Sequence, residues 1–125
     1  MQAIKKYVEM RKIYHLSTCN TCQRIINDLD LHHEGFEFQN IKEKHISAEE
    51  LDDLAKKEGS YEALFNRRAM KYRSMGLNEM DLTEDDYRKY ILSEYTFLKR
   101  PVIIIDDKAF VGNSKKVIAA AQGNL

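Results

Sequence analysis

The sequence predicts an α/β domain, and three observations carry that prediction. Two short β-branched and aromatic segments flank an amphipathic helical pattern at the start, which makes a β-α-β unit. A middle stretch, about residues 42–98, carries only helical signals. After Pro101 a continuous apolar run, a turn and a return segment lead into a last helix, which makes a β-β-α unit. The 125 residues fit one domain over residues 10–122, with the helical block as an insertion and residues 1–9 as an N-terminal extension.

Each element has its own signal. Lys12-Ile13-Tyr14-His15-Leu16 stops at Ser17-Thr18 and predicts the first strand. Beyond Cys19 apolar positions recur at Cys22, Ile25, Ile26 and Leu29, a helical period that runs to the segment His32-His33-Glu34-Gly35. Phe36 to Ile41 alternates and predicts the second strand. Ser47-Ala48-Glu49-Glu50 has the form of a capping box, with Leu51, Leu54 and Ala55 on one face and Gly59 as the stop. Tyr61 to Met75 predicts one or two short helices ending before Gly76. Thr83-Glu84-Asp85-Asp86 opens another helix, whose buried stripe is Tyr87, Tyr90 and Ile91. Val102 to Ile105 suits a strand buried on both faces. Asp106-Asp107 turns, Lys108 to Val111 returns, and Val117, Ile118 and Ala121 place the last helix on the sheet.

Composition removes several function classes. Twenty Lys and Arg balance twenty Asp and Glu, whereas domains that coat nucleic acid are strongly basic. No direct nucleic-acid partner is expected. No apolar run approaches the roughly 20 residues of a membrane span, and residues 1–10 lack the apolar core of a secretory leader. A cytoplasmic location away from the membrane is expected, and with it a monomer. The two cysteines are Cys19 and Cys22, and in a cytoplasmic chain that spacing is a redox dithiol or half of a zinc site. A zinc site needs two further ligands, and the usual His spacing is absent. No metal and no bound cofactor are expected, and the four histidines receive no role.

The chemistry centres on Cys19-Asn20-Thr21-Cys22, where a strand feeds a helix. A thiol at a helix N-terminus faces backbone N–H groups and the positive end of the dipole, and both favour the thiolate. Cys19 is therefore the candidate nucleophile. Cys22 lies one turn inward on the apolar face, more buried and close enough for a disulfide, so it is the candidate resolving thiol. Arg100 is a third candidate, since guanidinium is always charged and binds oxyanions bidentately. Pro101 stands directly before the most apolar strand, and the residues alone leave its peptide bond cis or trans. Asn66 to Arg73 forms a basic cluster.

These segments together resemble a known family. Leu16 to Arg24 around the cysteines, Leu64-Phe65-Asn66-Arg67-Arg68 with Tyr72 and Gly76-Leu77, and Arg100 to Ile104 with Val111-Gly112 are similar to the ArsC/Spx family of arsenate-reductase-like proteins. The resemblance spans essentially residues 10–122. It implies a thioredoxin-like fold, a mixed four-stranded sheet (βαβ … ββα) carrying an inserted helical block, and a cis Pro101. It implies catalytic roles for Cys19, Cys22 and Arg100, and substrate-binding roles for Arg68, Arg100 and Pro101. In arsenate reductases of this family one cysteine attacks arsenate and three arginines hold it. Arg100 matches one of these, while Asn66 and Gly112 stand at the other two positions. Arg68 matches the Spx branch. The expected function is thus thiol–disulfide redox chemistry on a small oxyanion or disulfide, recycled by glutathione with glutaredoxin, or by thioredoxin. The alternative is an Spx-like, redox-responsive regulator that binds RNA polymerase.

Overall fold

The computed structural model describes residues 10–125, so the extension expected over residues 1–9 lies outside the described residues. Four strands and five α-helices follow in the order β1 (Arg11–His15), α1 (Asn20–Asp28), β2 (Glu37–Asn40), α2 (Ala48–Glu58), α3 (Met70–Ser74), α4 (Glu84–Ser93), β3 (Val102–Ile105), β4 (Lys108–Val111) and α5 (Lys115–Gln122). The chain divides into two compact units. One comprises the described residues up to Lys44 together with Arg100–Leu125, and the other is His45–Lys99.

The first unit holds the sheet, in the order β2-β1-β3-β4. β1 and β2 run parallel, as a β-α-β crossover requires, and β3 runs antiparallel to both β1 and β4. The expected mixed four-stranded sheet is therefore present, and its fold is thioredoxin-like. Ile13 lies opposite Ile103 in the register. These two, with Ile105, Ile25 and Ile26 of α1 and Ala121 of α5, form one buried cluster. All of Val102 to Ile105 is buried, as expected of an interior strand. The Arg100–Pro101 bond is cis, the form implied by the family resemblance.

α1 is shorter than its apolar period suggests. It ends at Asp28, because Asp30 adopts a left-handed backbone (φ 54°). Leu29 and Leu31 are nevertheless both buried, Leu31 from a short 3₁₀ turn. β1 starts and ends one residue earlier than expected, which leaves Leu16 to open the turn before Cys19.

The second unit is helical. The expected capping box forms at Ser47 with Glu50 on α2, and the helix expected to open at Thr83 does so with a second box, Thr83 with Asp86 on α4. Gly59 ends α2 at φ 95°, a conformation that costs other residues strain. The stretch from Tyr61 to Gly76 resolves into a 3₁₀ turn (Glu62–Leu64) and the five-residue α3. Between them Phe65 bridges to Leu98 and stacks on Phe97, and Leu64, Ile91, Phe97 and Leu98 are fully buried.

Candidate active site

The site is built from the first unit, where β1 runs out into α1. Leu16 O accepts the Cys19 N–H at 3.0 Å, closing a tight turn over Ser17 and Thr18. It also accepts the Gln23 side chain at 3.3 Å, which ties the turn to the first turn of α1. Cys19 is the N-cap residue of α1, with an extended backbone (φ −91°, ψ 110°). Its carbonyl accepts the Gln23 N–H at 3.1 Å, and so starts the helical ladder. Its side chain is half-buried, while Cys22, one turn on, is fully buried. Both are free thiols in this structure.

The two thiols are pushed in opposite directions. On Cys19 burial acts upward, but hydrogen bonds from the backbone and side chain of Cys22, then the charge and hydrogen bond of Arg100, outweigh it. Cys19 ends below its ordinary value. Cys22 is pushed up to about 12, mainly by burial and further by the neighbouring Cys19, against a hydrogen bond from the Leu16 backbone and the charge of Arg100. One thiol is thus drawn towards the thiolate and the other is held protonated. The helix terminus acts on the half-buried cap residue, and burial dominates on the residue one turn inward.

The charge of Arg100 acts on Cys19, and Pro101, buried, leads directly into β3. The Gly112 N–H donates to Pro101 O at 2.9 Å, and Gly112 (φ 94°) has open space where a side chain would project. Arg68 belongs to the second unit and is exposed there, its N–H donating to Asn66 Oδ1 at 3.1 Å. The remainder of the Asn66 amide is committed within the same unit, Nδ2 donating to Thr96 O at 3.1 Å.

Two residues here escaped the sequence analysis. Gln23 looked like one polar position of an amphipathic helix, and Asn40 like the end of a strand. Asn40 reaches the turn from β2, accepting the Ser17 N–H at 3.3 Å and donating to Ser17 Oγ at 2.9 Å. An asparagine closing a strand that is parallel to a Cys-bearing strand was the available signal. The histidines lie in other surroundings. His15 and His32 pack on Phe38, His33 pairs with Asp30, and His45 bonds Ile91 O. Among the described residues no three His, Cys, Asp or Glu side chains are placed to hold a metal.

A thioredoxin-like sheet with a Cys-x-x-Cys pair at the first strand-to-helix junction defines a class of thiol redox proteins. Comparison with known proteins narrows it. The ArsC family profile matches residues 14–121, and the chain belongs to that family. The global transcriptional regulator Spx 2 of Lactococcus lactis is 24% identical over 112 residues, 89% of this chain and 85% of the relative. An arsenate reductase of Haemophilus influenzae is 26% identical over 110 residues, 85% of this chain and 93% of the relative. The solved structure of an arsenate reductase from Vibrio cholerae superposes with a TM-score of 0.76 at 18% identity, covering 93% of this chain and 98% of that one. At that identity the last match speaks for the fold alone. No helix among the described residues is long and apolar enough to cross a membrane.

Proposed function

We propose that the chain is a cytoplasmic thiol–disulfide oxidoreductase in which Cys19 attacks and Cys22 resolves. The observation that carries this reading is the opposed ionisation of two free thiols one helical turn apart. The Cys19 thiolate attacks one sulfur of a disulfide, forming a mixed disulfide and expelling the other sulfur as a thiolate. With Cys19 so capped, its two influences that hold Cys22 protonated are gone; burial still opposes the thiolate, while the Leu16 backbone and the charge of Arg100 favour it. Cys22 then loses its proton to solvent, attacks the Cys19 sulfur and releases the second thiol. The protein is left with an intramolecular disulfide, oxidised by two electrons. Glutathione with glutaredoxin, or thioredoxin, returns those electrons.

Arg100 and Pro101 are assigned to the anionic end of the substrate; a substrate-binding role for Arg68 rests on the family resemblance alone. A disulfide substrate ranks above arsenate. Of the three positions where the reductases carry an arginine, Asn66 has its amide engaged by its own unit and Gly112 offers no side chain. The test is turnover with a coupled reductant on three substrates: a small disulfide, a glutathionylated peptide and arsenate. The disulfide or the peptide should turn over fastest, and loss of turnover in Cys22→Ser would establish the dithiol route. Arsenate turnover that survives Cys22→Ser would replace this reading with a monothiol reductase.

The regulator named among the relatives favours a second reading, in which the same disulfide switches binding to RNA polymerase. Polymerase retained by the immobilised chain in only one redox state would support it, and no retention in either state would remove it.

A further inference from the structure

Asn40 joins two parts of the chain that lie 23 residues apart. The parallel register sets it beside His15, the last residue of β1. Its carbonyl accepts the N–H groups of Glu43 (3.1 Å) and Lys44 (2.9 Å), and its Oδ1 accepts the Lys42 N–H (3.3 Å), so the turn after β2 holds it in place. From that fixed base both ends of the carboxamide engage Ser17, Oδ1 at the backbone N–H and Nδ2 at the hydroxyl.

We propose that Asn40 is a positioning residue for the reacting thiol: its carboxamide fixes Ser17 and thereby the direction in which Cys19 is presented to the first turn of α1. The proposal rests on Cys19 being the attacking thiol. Ser17 and Thr18 are exposed, so burial does little to set their conformation and polar contacts decide it. Leu16 O anchors the helical side of the turn through Cys19 and Gln23. Asn40 anchors the sheet side. The N–H groups of the first turn favour a thiolate only while Cys19 faces them, and the extended backbone of the cap residue sets that direction. A carboxamide is suited to the task because it donates and accepts at once. A carboxylate can only accept, so the hydroxyl would have to turn and donate, and a negative charge would stand near a thiolate. The side chain of Asn40 engages Ser17, so its removal acts through the geometry of the turn.

The experiment is the rate of Cys19 alkylation by iodoacetamide as a function of pH, read by peptide-resolved mass spectrometry beside the melting temperature. Asn40→Ala should move the midpoint of the profile upward and slow alkylation at pH 7 about three- to tenfold, as loss of one or two ordinary hydrogen bonds would. Ser17→Ala, a change at an exposed position that leaves the fold intact, should move it the same way by less, and Ser17→Thr should restore it. A lowered melting temperature with the profile unmoved in both alanine variants would make Asn40 a merely structural residue and overturn the proposal. Cys19→Ser separates the two ideas. If alkylation persists in that variant, the assignment of the nucleophile has failed; if it vanishes while Asn40→Ala keeps the wild-type profile, only the positioning role has failed.

Discussion

Limiting iodoacetamide at pH 7 should mark Cys19 and spare Cys22, and the structure sets the size of the contrast. With its ionisation pushed up to about 12, Cys22 is thiolate in about one molecule in 100,000 at that pH. Cys19 lies below 9.0, so it is thiolate in more than about one molecule in 100. The thiolate populations differ at least about 1,000-fold. A more basic thiolate attacks faster, with a Brønsted slope of about 0.4–0.5, and over three units this returns roughly 20-fold to Cys22. The net preference is at least about 30-fold, before any shielding of the buried sulfur. Initial rates on the wild-type protein are the proper measurement, because alkylation of Cys19 removes a group that keeps Cys22 protonated. Single variants should agree: Cys19→Ser nearly abolishes labelling, and Cys22→Ser, which keeps a hydroxyl beside the cap, nearly preserves it. A preference below about fivefold, or equal labelling of the two variants, would refute the argument from the helix terminus.

Three further outcomes follow from the same structure. Arg100→Ala should raise the midpoint of the Cys19 alkylation profile yet leave Cys19 the faster thiol, since the Cys22 hydrogen bonds outrank the arginine; an unmoved midpoint would confine Arg100 to substrate binding. Under reducing conditions the wild type should lose stability as pH rises from about 8.5 towards 12, because the unfolded chain releases the Cys22 proton near about 8.5 and the folded chain does not. Denaturant melts of Cys22→Ala should fall less steeply over that window, and parallel curves would contradict the raised ionisation. Ser47→Ala removes the capping-box hydroxyl of α2 and should cost about 1 kcal/mol by urea melting, with a cost near zero counting against the box.

What was legible in the sequence depended on how local its cause is. The capping box at Ser47 and the helix start at Thr83 are each settled within four residues, and both form. The interior place of Val102 to Ile105 is settled by an unbroken apolar run. The unequal burial of Cys19 and Cys22 follows from their positions on one helix end, so it was legible as well. The early end of α1 was not, because Leu29 and Leu31 keep an apolar pattern that the left-handed Asp30 interrupts. The 3₁₀ turns between Tyr61 and Met80 are too short to show a period. The hold of Asn40 on Ser17 stayed hidden for the opposite reason: it exists only once two strands, distant in sequence, have chosen their register.

The two outer strands of the sheet have a consequence for association. β2 and β4 are each four residues long, which leaves roughly 13 Å of ladder at either rim. Each rim begins with a charged side chain, Glu37 paired with Lys12 and Lys108 bonded to Asn124. Another sheet aligned against either rim would find few backbone groups to bond and a charge to desolvate at its first step. Brevity and charge together blunt the edges against strand-to-strand aggregation, so association through either rim is disfavoured.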